Sequence, residues 1–316
     1  MIRHRRPHAL LRPAVAIPFL VVALIWGSTW IVIRDQAGPA PPSWSVAYRF
    51  AIATVAMFLL AARLRRGFTM TAGGHAIAIG IGIFQFFVNF NFVYRAELHI
   101  TSGIVAVLFG MLMVPNAVFA RIFLGTPITG RFILGTIIAL AGIALLLMHE
   151  FLSAPPGGRV GLGILLTVIG IFSASAANVM QASETARRRP LILLLAWAML
   201  WGTLFDATFA WAVAGPPPFP ADARYWGGVA YLALLGSVVT FPLYFGLIRE
   251  IGPGRAAYNG VLVPVIAMAI STFAEGYRWS SLAAAGAILA MIGLLVALRG
   301  RNLDHPEIQQ GSTLRS

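Results

Sequence analysis

The chain has 316 residues, of which 59% are hydrophobic and 10% are charged, and its mean hydropathy is +0.84. This composition excludes an ordinary soluble domain and indicates a polytopic membrane protein. The net charge of +13 comes from 23 basic residues that are all arginine, but they lie between apolar segments without interleaved aromatic residues, so we expect no nucleic-acid partner. Because the chain contains no cysteine, disulfides and thiolate metal sites are excluded.

Apolar runs of about 20 residues, the length that crosses a hydrocarbon layer about 30 Å thick, predict an all-α integral membrane protein with ten transmembrane helices. The first run is long enough to span the membrane and nine more follow it, so we interpret it as an uncleaved helix and not as a signal peptide. The ten runs lie near residues 14–33, 44–62, 76–94, 101–121, 131–148, 160–181, 190–213, 226–247, 256–274 and 281–298.

The placement of the arginines predicts the orientation of these helices. If the N-terminus is cytoplasmic, 17 of the 23 arginines lie on cytoplasmic segments and six lie outside, as the positive-inside rule requires. We therefore predict that both termini are cytoplasmic, with a basic N-terminal segment at 1–13 and a disordered tail at 299–316. The exclusive use of arginine suggests a bacterial genome rich in G and C, and hence a bacterial inner membrane.

The second half of the chain repeats the first. Residues 115–147 align with residues 264–298, so that Pro115 pairs with Pro264. One repeat is five helices, and because five is odd, the second copy must enter the membrane from the opposite side, with a substrate path between the copies. The predicted units are a first repeat at 14–148, an outer linker at 149–159 and a second, inverted repeat at 160–298.

The first predicted helix carries the sequence Trp-Gly-Ser-Thr-Trp at positions 26–30. On a helix, Trp26, Thr29 and Trp30 share one face, and the glycine and serine between them lie on others. Small residues let membrane helices approach closely, so we predict that the Trp26 face lines a cavity. The alternative is that both tryptophans contact lipid, with Trp30 in the interfacial aromatic belt.

Polar side chains in the middle of other helices predict the rest of that cavity, because polar groups are costly in hydrocarbon and usually face the bundle interior. Gln85 and Asn89 share a face of the third helix, and Asn178 and Gln181 share a face of the sixth. Amides both donate and accept, so the cavity suits a zwitterion or a neutral polar solute; interhelical hydrogen bonds without substrate are the alternative. The predicted substrate-binding residues are Trp26, Thr29, Trp30, Gln85, Asn89, Asn178, Gln181, Tyr244 and Asn259.

Three further residues are candidates for gating or for proton coupling. Pro115 and Pro264 each remove a backbone hydrogen bond, so we predict gating bends there, with purely architectural kinks as the alternative. Asp206 is the one acid well inside a predicted helix and is the candidate for proton coupling. Its alternatives are a structural contact, such as an ion pair with Arg49, and a water-facing position near the outer mouth.

Several motifs spread over roughly residues 15–298 occur together in one family of carriers. They are Trp26-Gly27-Ser28-Thr29, the proline-rich turn 38–44, Arg49-Phe50, Pro115, Pro264 and the segment 273–280. This combination resembles the drug/metabolite transporter superfamily with its paired EamA-type domains. The resemblance implies a ten-helix inverted-repeat carrier, and many such carriers export amino acids, other metabolites or drugs. The chain departs from the family at residues 125–127, which read Gly-Thr-Pro where Gly-Glu is usual, whereas the second repeat keeps Glu275.

The sequence has no zinc-binding His-Glu-x-x-His helix, no paired intramembrane aspartates, no Gly-x-Ser-x-Gly elbow and no Walker A loop. We therefore expect neither an enzyme nor an ATP-driven pump, and no cofactor or metal. The prediction is a secondary transporter in the lipid bilayer that exports small metabolites such as amino acids by alternating access. Two alternatives remain open: a carrier of drug-like, sugar or nucleoside solutes, and a non-transporting membrane sensor or assembly factor.

Overall fold

The computed structural model describes residues 12–65, 67–125, 127–153, 158–247 and 259–301, and in these ranges the chain is helical without β-strands. Most of the predicted segments 1–13 and 299–316, and part of the predicted linker 149–159, lie outside the described residues. The long helices are α1 (Pro13–Asp35), α2 (Pro42–Arg63), α3 (Ala72–Ala96), α4 (Ser102–Leu124), α5 (Gly130–Ser153), α6 (Val160–Ala182), α7 (Leu191–Ala214), α8 (Ala223–Leu247), α9 (Asn259–Ala274) and α10 (Ser281–Arg301).

The helices have the lengths that a membrane protein requires. Within the described ranges, the eight helices from α1 to α8 are long and apolar enough to cross a membrane, and α9 and α10 contain shorter apolar stretches. The predicted all-helical membrane architecture is therefore confirmed. The count of ten spans and the cytoplasmic position of both termini stay predictions.

Prolines and glycines fix several helix ends. Pro42 occupies the first turn of α2, where a missing N–H costs nothing because that group has no partner within the helix. Gly125 follows α4 with φ of 70° and Gly215 follows α7 with φ of 73°. Both values lie in the left-handed region that glycine adopts readily, so both helices stop there.

The helices pack in pairs that the two repeats share. α2 packs on α7, and α5 packs on α10, each helix meeting its own repeat counterpart. The contact of α1 with α9 has its equivalent in the contact of α6 with α4, because α6 is the counterpart of α1 and α4 is the counterpart of α9. The contact of α3 with α6 has its equivalent in the contact of α8 with α1. Exchanging the first five helices for the last five leaves this pattern unchanged, as expected for two copies of one unit.

Two counterpart helices are locally widened. Residues Gly82–Val88 of α3 and Leu234–Val239 of α8 form π-helical turns. The two segments differ by about 151 positions, which agrees with the offset between the repeats. α4 is also interrupted, between Gly110 and Met113, two residues before Pro115. Such irregular turns are frequent at functional sites.

α5 and α10 meet along a seam of small residues. Gly135 and Gly142 of α5 face Gly293 and Ala290 of α10 so closely that a Cβ on Gly142 would lie 2.2 Å from the Ala290 nitrogen. Small residues allow this approach, and in a membrane such packing supplies much of the association energy. α5 continues to Ser153, so its last turn extends into the predicted linker.

Candidate functional site

A cavity lies between helices of both repeats, with a volume of about 160 Å³ open to the centres of water molecules. α1, α3 and α4 of the first repeat and α6, α8 and α9 of the second supply its walls, and α2 contributes one residue, Arg49. The polar lining residues are Thr29, Arg49, Gln85, Asn89, Asn116, Asn178 and Asn259, and the aromatic ones are Trp26, Trp30, Phe90, Phe109, Phe241, Tyr244 and Phe245.

Amide groups on four helices give the cavity free hydrogen-bonding capacity. Asn178 Nδ2 of α6 donates to Asn116 Oδ1 of α4 at 3.4 Å. Asn89 Nδ2 donates to the Gln85 carbonyl oxygen, and Asn259 Nδ2 donates to a carbonyl of α1, both at 3.3 Å. The Oδ1 atoms of Asn89 and Asn259 are buried and accept no hydrogen bond from a described residue. Because unmet buried acceptors are costly, these oxygens are suited to a donor that enters with a solute.

Aromatic rings form the apolar part of the wall. Trp26 packs against Tyr244 at a centroid distance of 4.9 Å and against Phe241 at 5.7 Å, and its Nε1 donates to the Gly236 carbonyl oxygen at 3.3 Å. Trp30 packs against Phe109 at 5.1 Å. The face predicted from the sequence of α1 therefore points into the cavity. The glycine and serine between the tryptophans contact α9 and α8 respectively.

Arg49 is the charged residue of the cavity wall and is 2% exposed. Its Nε donates to Ser237 Oγ at 3.2 Å, and its Nη2 lies 3.5 Å from the Gly236 carbonyl oxygen. The guanidinium carbon stands 4.3 Å from the centroid of the Phe90 ring. The widened turn of α8 therefore receives Arg49. Glycine at position 236 lets α1 approach this turn, since a Cβ there would lie 3.0 Å from Thr29 Cγ2, whereas its 3.4 Å distance to Arg49 Nη2 would be an ordinary contact.

A second polar cluster lies where α3 ends. Glu97 is 1% exposed, neither of its carboxylate oxygens has a partner among the described residues, and its backbone carbonyl accepts a hydrogen bond from Arg34. Glu275 accepts from Ser102 Oγ at 2.6 Å, and its Oε1 lies 3.9 Å from Arg34 Nε. Burial, and secondarily the charge of Glu275, raise the pKa of Glu97 well above its ordinary value of 4.5, although Arg34 and Arg49 oppose this.

The cavity brings together most of the residues predicted from the sequence. Eight of the nine predicted binding residues line it, as does Pro264. Gln181 and Pro115 are absent from the described lining. Pro115 is buried near the start of the second half of α4, and Gln181 lies one turn nearer than Asn178 to the end of α6.

Asp206 also lies outside the described lining of the cavity and contacts α3. Its Oδ1 accepts from Asn91 Nδ2 at 2.6 Å, and Asn91 Oδ1 in turn accepts from Arg95 Nη1 at 2.8 Å. Asp206 Oδ2 is buried and has no partner among the described residues. No ion pair joins Asp206 to Arg49 in the described part of the chain, and the structural contact that Asp206 does make is the hydrogen bond from Asn91.

Three contributors to the site are not predicted from the sequence. The sequence offers Arg49 as a partner of Asp206 and not as a wall residue. Asn116 directly follows Pro115, and an amide next to a helix-breaking proline in a membrane span is the signal that marks it. Gly236 has no signal, because nothing in its sequence context marks a π-helical turn.

The fold and the motifs agree with one known family. The EamA-like transporter family matches residues 14–148 and again residues 161–299. This chain belongs to the EamA-like transporter family. It is accordingly a multi-pass membrane protein of a transporter family.

Curated relatives and a solved structure extend over most of the chain. The chain is 23% identical over 290 residues to Protein PagO of Salmonella typhimurium, covering 92% of this chain and 94% of that protein. It is 29% identical over 271 residues to the uncharacterized inner membrane transporter YedA of Escherichia coli K12, covering 82% of each. It is 24% identical over 293 residues to a probable amino-acid metabolite efflux pump of the same strain, covering 89% of this chain and 93% of that protein. One crystal structure matches with a TM-score of 0.67 at 19% identity, covering 92% of this chain and 98% of that one, which shows the shared fold.

Proposed function

We propose that this EamA-like transporter is a secondary carrier that exports small metabolites, amino acids among them, by alternating access at the cavity between its repeats. The observation that carries the proposal is that the wall of the cavity is shared between α1, α3 and α4 and their counterparts α6, α8 and α9. A site at such an interface opens to opposite sides when one repeat moves against the other. One relative is a probable amino-acid metabolite efflux pump, which supports the substrate class.

The lining favours a small polar solute. Unpartnered amide oxygens of Asn89 and Asn259 offer acceptors, and the indole Nε1 of Trp30 is a buried donor with no partner among the described residues. We propose that the binding residues are the cavity-lining members of the predicted set: Trp26, Thr29, Trp30, Gln85, Asn89, Asn178, Tyr244 and Asn259. Gln181 is left out because it does not belong to the described wall.

The residues that we propose for gating and coupling differ from the substrate-binding residues. Pro115 and Asp206 lie outside the described cavity wall, and Pro264 is part of it. We propose that the break near Pro115 in α4 and Pro264, which lies inside the continuous helix α9, are the bends at which the two repeats open, since α4 and α9 are counterparts. We assign proton coupling to Asp206, whose Oδ2 is buried and has no partner among the described residues. Asp206→Asn should abolish the pH dependence of transport while the exposed control Glu184→Gln retains it; retained dependence in Asp206→Asn would remove it from coupling.

A counterflow experiment tests the proposed function. Purified protein in liposomes loaded with unlabelled amino acids should accumulate a radiolabelled amino acid from outside, and protein-free liposomes should not. Asn178→Ala should lower the initial rate about 10-fold through loss of one hydrogen bond to the solute. Gln181→Ala, an amide one turn away on the same helix, should leave the rate unchanged. No counterflow of any tested solute by folded protein would contradict a carrier and favour a sensor or assembly role.

A second candidate is efflux of bulkier drug-like solutes in a bacterial inner membrane. The observation that favours it is the aromatic part of the wall, where Trp26, Phe241 and Tyr244 pack together, since aromatic cavities bind planar and cationic ligands. Including ethidium and uridine in the same counterflow panel separates the two. Transport of ethidium without transport of any amino acid would decide for this candidate.

A further inference from the structure

Arg49 places a charged side chain in the wall of the cavity. It lies in the second turn of α2, about 10 Å along the helix axis from Pro42 at a rise of 1.5 Å per residue. It is 2% exposed, and it is one of the residues that line the cavity. An arginine buried at this depth is expensive unless something compensates its charge.

The immediate neighbours of the guanidinium are all uncharged. Ser237 Oγ and the Gly236 carbonyl oxygen accept from Nε and Nη2, and the Phe90 ring lies against one face. Nη1 makes no hydrogen bond of ordinary geometry to a described residue, although the Tyr94 hydroxyl lies nearby. Among the described residues, no carboxylate oxygen lies within 4 Å of Arg49. Glu97, at the end of α3, is the carboxylate whose charge acts on Arg49, and it does so from beyond ion-pair distance, so no direct ion pair neutralises the guanidinium.

The rest of the described wall offers uncharged hydrogen-bond acceptors and no negative charge. Asn89 and Asn259 present buried oxygens without donors. No carboxylate belongs to the described lining of the cavity. The cavity therefore offers one fixed positive charge together with neutral acceptors, a combination that suits an anionic group on a solute that also carries hydrogen-bond donors.

We propose that Arg49 binds the carboxylate of the transported solute, while the amide oxygens of Asn89 and Asn259 accept from its ammonium or other donors. The substrate class is then small monocarboxylates with a donor-bearing remainder, of which amino acids are the simplest. This inference rests on the proposed function, because it takes the cavity to be the transport route. A guanidinium can hold a carboxylate through two parallel hydrogen bonds, which a neutral amide cannot reproduce.

The π-helical turn of α8 positions Arg49 for this contact. The Gly236 carbonyl oxygen accepts from Thr240 Oγ1 at 2.7 Å and from Trp26 as well as from Arg49. Ser237 Oγ donates to the Leu232 carbonyl at 2.9 Å, which leaves an oxygen lone pair for Arg49 Nε. Two of the three guanidinium nitrogens are thereby held by α8, and the cation is fixed on the cavity wall.

The first test uses the wild-type protein alone. Purified protein is titrated with L-leucine, L-phenylalanine and the primary amide of each, and binding is followed by tryptophan fluorescence and by thermal shift. Each amide differs from its acid at the carboxyl group, so the ratio of the two dissociation constants measures recognition of that group. We expect the acids to bind about 10- to 100-fold more tightly than the amides. Equal affinity of acid and amide, or no binding of either acid to folded protein, would overturn the role of Arg49.

The second test uses variants in the same titrations. Arg49→Gln should reduce the acid-to-amide preference to near unity, Arg49→Lys should retain part of it, and the exposed control Arg188→Gln should keep all of it. If Arg49→Gln fails to fold, Ser237→Ala serves instead and should lower the preference severalfold by releasing Arg49 Nε. An unchanged preference in the folded variants would overturn the proposal.

Counterflow in liposomes separates this inference from the proposed function. Transport of the amides as fast as the acids would leave a carrier standing and would remove Arg49 as its carboxylate site. Acids that bind with Arg49-dependent preference but are not transported would support the binding site and contradict the carrier.

Discussion

Gly142→Ala tests the packing of α5 on α10 with a single methyl group. The added Cβ would lie 2.2 Å from the Ala290 nitrogen and 2.6 Å from the Gly286 carbonyl oxygen, whereas ordinary contacts begin at 3.4 Å. The backbones must separate locally by about 1.2 Å, the difference between 3.4 and 2.2 Å. Overpacking costs about 1–3 kcal/mol, and a backbone obstacle places this case at about 3 kcal/mol. Alanine regains about 1 kcal/mol as the better helix former, so we expect a net loss of about 2 kcal/mol.

The assay is unfolding of the purified protein by SDS titration, followed by far-UV circular dichroism. The matched control is Gly227→Ala in α8, where an added Cβ meets no atom within 4 Å, so that a gain of up to about 1 kcal/mol is expected. Since neither α5 nor α10 contributes to the described cavity wall, transport per folded molecule should not change. A Gly142→Ala protein as stable as the wild type would refute the close seam.

Substitutions at Trp26 and at Glu97 test the cavity and its neighbouring acid cluster. Trp26→Phe keeps an aromatic ring in contact with Tyr244 but loses the Nε1 hydrogen bond and part of the ring. It should retain most counterflow at a stability cost of about 1 kcal/mol for the hydrogen bond, plus a packing cost for the smaller ring. Trp26→Ala should lose most counterflow, and a rate equal to that of the wild type would place the ring outside the route. Because the pKa of Glu97 is raised in the folded protein, its ionisation opposes folding, and stability should fall as pH rises from its ordinary value of 4.5 towards the raised one. Glu97→Gln should flatten this dependence above the ordinary value of 4.5 and should unfold at a higher temperature than the wild type at the alkaline end. A pH profile unchanged by Glu97→Gln would contradict the burial argument.

Helical periodicity predicts well which face of a helix a side chain occupies, but it predicts poorly whether that side chain lies level with the cavity along the helix axis. The spacing of four between Gln85 and Asn89 puts both side chains on one face of α3, and both reach the cavity. Gln181 follows Asn178 by three residues and shares its face by the same reasoning, but it lies one turn beyond the cavity. Periodicity gives the azimuth of a side chain, whereas the depth of a cavity depends on how neighbouring helices cross.

The partners of the buried charges depended on tertiary packing. Arg49 and Asp206 lie on α2 and α7, which do pack together, so an ion pair was a reasonable hypothesis. The packed helices instead turn Arg49 towards α8 and Asp206 towards Asn91 of α3. Rotation about each helix axis decides these contacts, and it is set by side-chain interdigitation that one sequence does not reveal.

The central claim is that the cavity opens alternately to the two sides of the membrane. The chain contains no cysteine, so Asn116→Cys in the cavity wall introduces a single thiol at a half-buried position. Its reaction with a membrane-impermeant maleimide is measured in right-side-out and in inside-out vesicles, with Arg188→Cys as the exposed control for sidedness. Alternating access predicts that Asn116→Cys reacts from both sides whereas Arg188→Cys reacts from one. Reaction of Asn116→Cys from a single side would contradict it.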